Sequence, residues 1–143
     1  MPTDPQTVHY DEADLASVLN EIENILDNST FDDCIIAGDF NFDERRVSGF
    51  ATTVRDFLKK VGLTSVWNKF QADFTHMHTD YISTSIIDHF FVNSSLLDHI
   101  IYAGPLHLGD NRSSHSPIML KLQLNDIPTC EKQEQKTELS KPA

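Results

Sequence analysis

Three short segments bring together residue types that can do phosphate or acid–base chemistry. The first is Gly38-Asp39-Phe40-Asn41, directly after the apolar pair Ile35-Ile36. A carboxylate and a carboxamide two residues apart point to the same side of an extended chain. There they can hold a metal-bound water or a phosphate oxygen, while the glycine lets a backbone approach closely. The same residue types make turns, and on spacing alone the turn is the favoured reading. The second segment is Ile86–Val92, which embeds Asp88 and His89 among apolar residues. An Asp in an apolar strand is costly to bury unless it is paired. A histidine is the partner most used in catalysis, because the carboxylate sets its tautomer and supports its charged form; a solvent-facing Asp88 explains the segment equally well. The third, Gly109–Ile118, delivers His115 to the start of a strand. That position suits a general base or a phosphate ligand, although alone it is a loop histidine. His76 and His78, followed by Asp80, put two imidazoles on one strand face. With no further ligand specified, a solvated face is a better reading there than a zinc site.

These residues need elements to position them. Leu15, Val18, Leu19, Ile22, Ile25 and Leu26 follow helical spacing, which predicts an amphipathic helix from Asp14 to Asp27 with Asp11 to Asp14 as caps. Cys34–Ala37 is a continuous apolar run between Asp32-Asp33 and Gly38, the pattern of a strand buried on both faces. Val54, Phe57, Leu58 and Val61 repeat the helical spacing, and Gly62 is placed to end that helix. After Gly62 the pattern predicts strands at Leu63–Trp67, Phe74–His78, Ile86–Val92, Ile100–Leu106 and Pro117–Leu124. In the last of these, Ile118, Leu120, Leu122 and Leu124 alternate with Met119, Lys121 and Gln123, as in a half-buried strand. Strand, helix, strand and then successive strands predict an α/β layered fold with a mixed sheet. Residues 1–125 read as one domain, and 126–143 as a disordered polar tail.

The 143-residue chain is long enough to bury a core without disulfides. Cys34 and Cys130 are too few for a disulfide framework. No stretch approaches the ~18 apolar residues of a membrane span, and no signal peptide opens the chain. The expectation is an intracellular, non-secreted protein with reduced thiols, in nucleus or cytoplasm. The net charge of −11 is concentrated: residues 1–33 carry nine acids and no Lys or Arg, whereas 34–125 carry nine acids and eight bases. A protein that coats DNA needs a basic stripe, and none is present. The near-neutral middle leaves metal-dependent phosphate chemistry open.

Taken together, the three segments resemble one family in order and spacing. Ile35-Ile36-Ala37-Gly38-Asp39-Phe40-Asn41, then Ser85-Ile86-Ile87-Asp88-His89-Phe90, then Ser113-Ser114-His115-Ser116-Pro117-Ile118 are similar to the C-terminal part of the endonuclease/exonuclease/phosphatase superfamily. The closest resemblance is to the endonuclease domains of LINE-type (non-LTR) retrotransposons, whose aromatic-Thr strand is matched by Asp73-Phe74-Thr75.

The resemblance implies part of a four-layer α/β sandwich and metal-assisted phosphodiester hydrolysis with Mg²⁺. It implies that Asp39 orients or activates the attacking water near the metal, and that Asn41 donates to the scissile phosphate. Asp88 would pair with His115, which would act as base or phosphate-binding imidazolium. Ser114 stands where the family places a metal-associated Asp. The family's first half, with its principal metal-binding Glu, precedes the segment matched here, and Glu12, Glu21 and Glu23 fall on a solvated helix face that does not replace it. The expectation is therefore a truncated, catalytically impaired remnant of a retrotransposon-type endonuclease, its tail resembling the linker toward a reverse transcriptase. Two alternatives accompany it: a domesticated protein-interaction module, and a metal-dependent phosphatase on small substrates. DNA is the partner the family implies; self-association or a protein partner would use an apolar sheet face left uncovered, including Ile86–Val92 and Pro117–Leu124.

Overall fold

Asp11 opens the first helix, α1 (Glu12–Asp27), in a computed structural model that describes residues 11–124. Its carboxylate accepts the Asp14 N–H, and the Asp14 carboxylate accepts the Asp11 N–H, so two orphan donors are satisfied reciprocally. The polar tail expected at 126–143 lies outside the described residues. Ser48 caps the second helix, α2 (Gly49–Val61), and Gly62 ends it in the left-handed region at φ 74°. The two helices lie side by side, tied by Lys60 to Glu23 at 2.8 Å.

Between and after them run the strands β1 (Ile35–Asp39), β2 (Leu63–Ser65), β3 (His76–Met77), β4 (Thr84–Ser85) and β5 (Asp88–Asn93). A short helix α3 (Ser94–Leu97) then leads to β6 (Ile100–Pro105) and β7 (Ile118–Leu122). The main sheet has the order β1-β5-β2, and β3-β4 and β6-β7 form two antiparallel pairs. The mixed sheet expected from the sequence is antiparallel throughout among the described residues. The crossover through α2 carries β2 past β1 to the far side of β5, so the two like-directed strands never touch.

β5 is the centre of the fold because both of its faces are apolar. Phe91 packs with Leu15, Leu19, Phe40, Val54 and Phe57 beneath the helices. Phe90 and Val92 point the other way, onto Val66, Leu96, Ile100 and Ala103, with Ile118, Leu120 and Leu122 of the β6-β7 hairpin against them. The layers are thus helices, sheet and hairpin. This overturns the expectation that Ile86–Val92 lacks part of its cover: Phe90, Phe91 and Val92 are all buried. In β7 the expected alternation holds, with Met119 and Lys121 exposed.

The uncovered apolar surface lies elsewhere. β1 pairs only with β5 among the described residues, and its residues alternate between exposed and half-buried. Cys34–Ala37 is therefore not a strand buried on both faces. Val18 and Ile25 of α1, together with Phe31 and Ile35, are exposed. Ile22, Leu26 and Ile36 line a groove of about 580 Å³ between α1 and β1. Several predicted strands are shorter than expected, β6 and β7 only at their ends. Leu63–Trp67 stops at Ser65, whose hydroxyl accepts the Trp67 N–H and starts a 3-10 turn over Val66–Asn68. Phe74–His78 is paired as strand only at His76–Met77. No helix among the described residues is long and apolar enough to cross a membrane.

Candidate active site

Asp39 ends β1 and Asp88 begins β5, and the two are register partners at the last rung of that ladder. His115 closes over them from the loop before β7. Its Nδ1 lies 2.9 Å from Asp88 Oδ2, and its Nε2 lies 3.9 Å from Asp39 Oδ2. The side chains are graded in exposure, Asp88 at 16%, His115 at 35% and Asp39 at 39%, so the cluster opens to solvent on the Asp39 side.

Asp88 is held by its backbone as well as by its partner. Thr75 is fully buried, and its Oγ1 accepts the N–H groups of both Ile87 and Asp88 at 3.0 and 3.1 Å. The Trp67 indole N–H donates to the Asp88 carbonyl at 3.0 Å. His115 is held by its own loop: the Ser113 hydroxyl accepts the His115 N–H, and the Asn111 amide donates to the His115 carbonyl. Flanking bonds from Ser116 N–H to the Thr75 carbonyl and from Met77 N–H to the Ser114 carbonyl lock this loop beside β3.

The loop after β1 is anchored by residues that motif reasoning passed over. Asp43 is buried; its carboxylate accepts the Ile86 N–H at 2.9 Å and a forked pair from Arg45. Burial pushes this carboxyl up, but the bonds from Arg45 and from the Ile86 and Arg45 N–H groups prevail and hold it at about 2. His89, also buried, donates Nε2–H to the Phe42 carbonyl at 2.8 Å and stacks on Phe42. Burial holds it below the usual histidine range. His89 thus faces away from Asp88, whose partner is His115. The only local hint in the sequence is an Asp two residues before an Arg; the burial and the bond to Ile86 that make Asp43 matter are long-range.

Asn41 departs from its expected geometry. The Asp39 carboxylate accepts the Asn41 N–H at 2.9 Å, and Asn41 adopts φ 52°. The chain therefore curls at this point, and the two side chains do not follow the alternation of an extended strand. Nor does Gly38 serve a close backbone approach here, since an added Cβ would meet only the Phe40 ring at 3.8 Å. Ser114 lies outside the cluster and lines a neighbouring cavity of about 550 Å³ with Asn111, Arg112 and Ser113. Asp80 folds back on the N–H groups of Ile82 and Ser83, and its link to His78 is electrostatic only, without a hydrogen bond among the described residues. His76 and His78 are half-buried, which corrects the expected solvated face. They line a cavity of about 430 Å³ that His115 and Asn41 share. Burial first, and then the neighbouring His115 and His78 rings, hold His76 below the usual range.

Asp39, Asp88 and His115 each bring one ligand atom within 4.8 Å of the others. The donor set suits a divalent cation that keeps several waters, with Asp39 as the open carboxylate.

The sequence matches the family model described as endonuclease-reverse transcriptase over residues 4–119. Among solved structures, the endonuclease domain of TRAS1, a telomere-specific non-LTR retrotransposon, superposes with a TM-score of 0.66 at 17% identity, covering 78% of this chain and 53% of that one. The AP endonuclease LMAP from Leishmania major gives 0.64 at 15% identity, over 79% of this chain and 44% of that one. The 3′ phosphatase NExo from Neisseria, bound to a product DNA hairpin, gives 0.62 at 14% identity, over 79% and 53%. The chain spans about half the length of these structures. No curated protein matches it. The α/β fold expected from the three motifs is the fold these nucleases share, and the chain belongs to the endonuclease-reverse transcriptase family of endonuclease/exonuclease/phosphatase-fold proteins.

Proposed function

We propose that the site serves metal-dependent phosphodiester hydrolysis of the endonuclease type, on DNA, with Mg²⁺ as the ion. The observation that carries this reading is the placement of His115 between Asp88, at 2.9 Å, and Asp39, at 3.9 Å. With Asp88 accepting from Nδ1–H, the neutral ring keeps its lone pair on Nε2, facing Asp39 and the open side. From there it can take a proton from an attacking water or, once charged, hold a phosphate oxygen. Asp39 would hold the ion, and the exposed Asn41 amide would donate to the scissile phosphate. A divalent ion bound here supplies charge neutralisation and a more acidic water.

Two carboxylates meet at this cluster, and one of them is engaged by His115. Mg²⁺ gives up its water shell reluctantly and needs several well-placed oxygens to be fixed. The proposal is accordingly a weak ion site and a catalytically impaired chain, without a basic stripe to add affinity for DNA. Supercoiled-plasmid nicking tests both parts. The chain alone should give no nicking above background in Mg²⁺ or Mn²⁺. Adding the segment of the TRAS1 endonuclease domain that this chain does not cover, together with Ser114→Asp, should give nicking that Asp39→Ala and His115→Ala abolish. Nicking by the unaided chain that these two substitutions remove would contradict the impairment; no nicking in the complemented mixture would contradict the hydrolase reading.

A second reading, a protein-interaction module, is favoured by the apolar groove between α1 and β1, where Ile25, Phe31 and Ile35 are exposed.

A further inference from the structure

We propose that His76, His78 and His115 form a binding site for a transition-metal ion of the Zn²⁺ class, which shares His115 with the Asp39 cluster and draws its other ligands from β3 and the residue that follows it. His76 and His115 are paired across an isolated antiparallel bridge. The backbone bonds Met77 N–H to Ser114 carbonyl and Ser116 N–H to Thr75 carbonyl flank this rung, so it is a non-hydrogen-bonded pair, the kind in which facing side chains come closest. Their ring centroids are 4.7 Å apart. His78 is two residues on from His76, on the same face, with its ring centroid also 4.7 Å from that of His76. All three line one cavity of about 430 Å³.

Two of the rings also have outer partners. His76 Nδ1 is paired with Ser85 Oγ at 3.3 Å, and His115 Nδ1 with Asp88 at 2.9 Å. With each Nδ1 donating, both rings keep a lone pair on Nε2, the arrangement by which outer partners fix metal-ligating histidines. The His78 Nε2 is buried and has no hydrogen-bond partner. A buried imidazole nitrogen without a partner is costly, and a metal would satisfy it. Bonds of about 2.0–2.1 Å to three imidazoles, with a water as fourth ligand, would require the rings to turn inward around the shared cavity. Three nitrogen donors select Zn²⁺, Co²⁺ or Ni²⁺ over Mg²⁺, which prefers oxygen. An ion held there would fasten β3 to the His115 loop.

Titration of the full chain with Co²⁺, followed by displacement with Zn²⁺, tests this. The expected result is a visible absorption of four-coordinate intensity that Zn²⁺ abolishes, with Zn²⁺ moving the imidazole resonances of His76 and His78. His76→Gln and His78→Gln should each weaken binding at least about tenfold, a larger loss than Asp39→Ala causes. No such absorption, or resonances of His76 and His78 that ignore Zn²⁺, would overturn the proposal whether or not the glutamine variants fold. Binding lost in Asp39→Ala but kept in His76→Gln would overturn it too, by assigning the ion to the Asp39 cluster.

Discussion

Asp39 and Asp88 stand directly opposite one another at the end of the β1–β5 ladder. Like charges facing each other across paired strands weaken the pair. His115 is bonded to Asp88 and turned toward Asp39. The proposed site would thus trade stability for function. Asp39→Asn keeps an oxygen to accept the Asn41 N–H but removes the charge. Denaturant unfolding should show a gain of roughly 0.5 kcal/mol, with divalent-ion binding lost at the cluster. A loss of stability would contradict the account of opposed charges.

Thr75 is the buried point on which Asp88 depends. Thr75→Val preserves shape but strands two backbone N–H groups, those of Ile87 and Asp88. The expected cost is about 2–3 kcal/mol, measured by urea denaturation, with Thr75→Ser losing much less. Equal losses in the two variants would show that packing, rather than the hydroxyl, matters at this position.

Asp43 fastens the loop after β1 to the start of β5. Its carboxyl is held at about 2, below its ordinary 3.8. A carboxylate depressed in the folded state contributes fully above its unfolded value and loses that contribution as pH falls through the folded one. Asp43→Asn should therefore cost on the order of 2 kcal/mol at neutral pH. The difference between variant and wild type should shrink as pH drops from 3.8 toward about 2. Unfolding curves across that window decide it, and a difference independent of pH would exclude the charge as the cause.

The groove between α1 and β1 exposes Ile25, Phe31 and Ile35. Light scattering on a sizing column should find self-association, accompanied by binding of a hydrophobic dye. Ile35→Lys should reduce both without lowering the melting temperature by more than a few degrees, because the side chain is already exposed. A monodisperse, dye-negative wild type would remove the physical support for the interaction reading.

Much of this arrangement was legible in the sequence for local reasons. Asp11 and Gly62 mark helix ends because capping depends on a few neighbouring residues. The pairing of Asp88 with His115 followed from motif order, as did the position of Asp39 at a strand end. Most of what failed depended on distant partners. The apolar Ile35-Ile36 run looked buried on both sides, but burial is set by what packs there, and α1 covers only one side of β1. Asn41 was placed by strand alternation, which its bond to Asp39 breaks. The importance of Thr75 and Asp43 lies in backbone N–H groups well separated from them in sequence, which local patterns do not reveal.

The central claim is that Asp39, Asp88 and His115 act as one ion-binding, acid–base site. Paramagnetic broadening of the histidine ring resonances by Mn²⁺ tests it most directly. His99, exposed at the opposite end of the β6–β7 ladder, serves as the internal control. The account predicts that His115 broadens at Mn²⁺ concentrations that leave His99 sharp, and that Asp39→Ala abolishes the effect. Equal broadening of both rings, or selective broadening of His115 that survives Asp39→Ala, would contradict it.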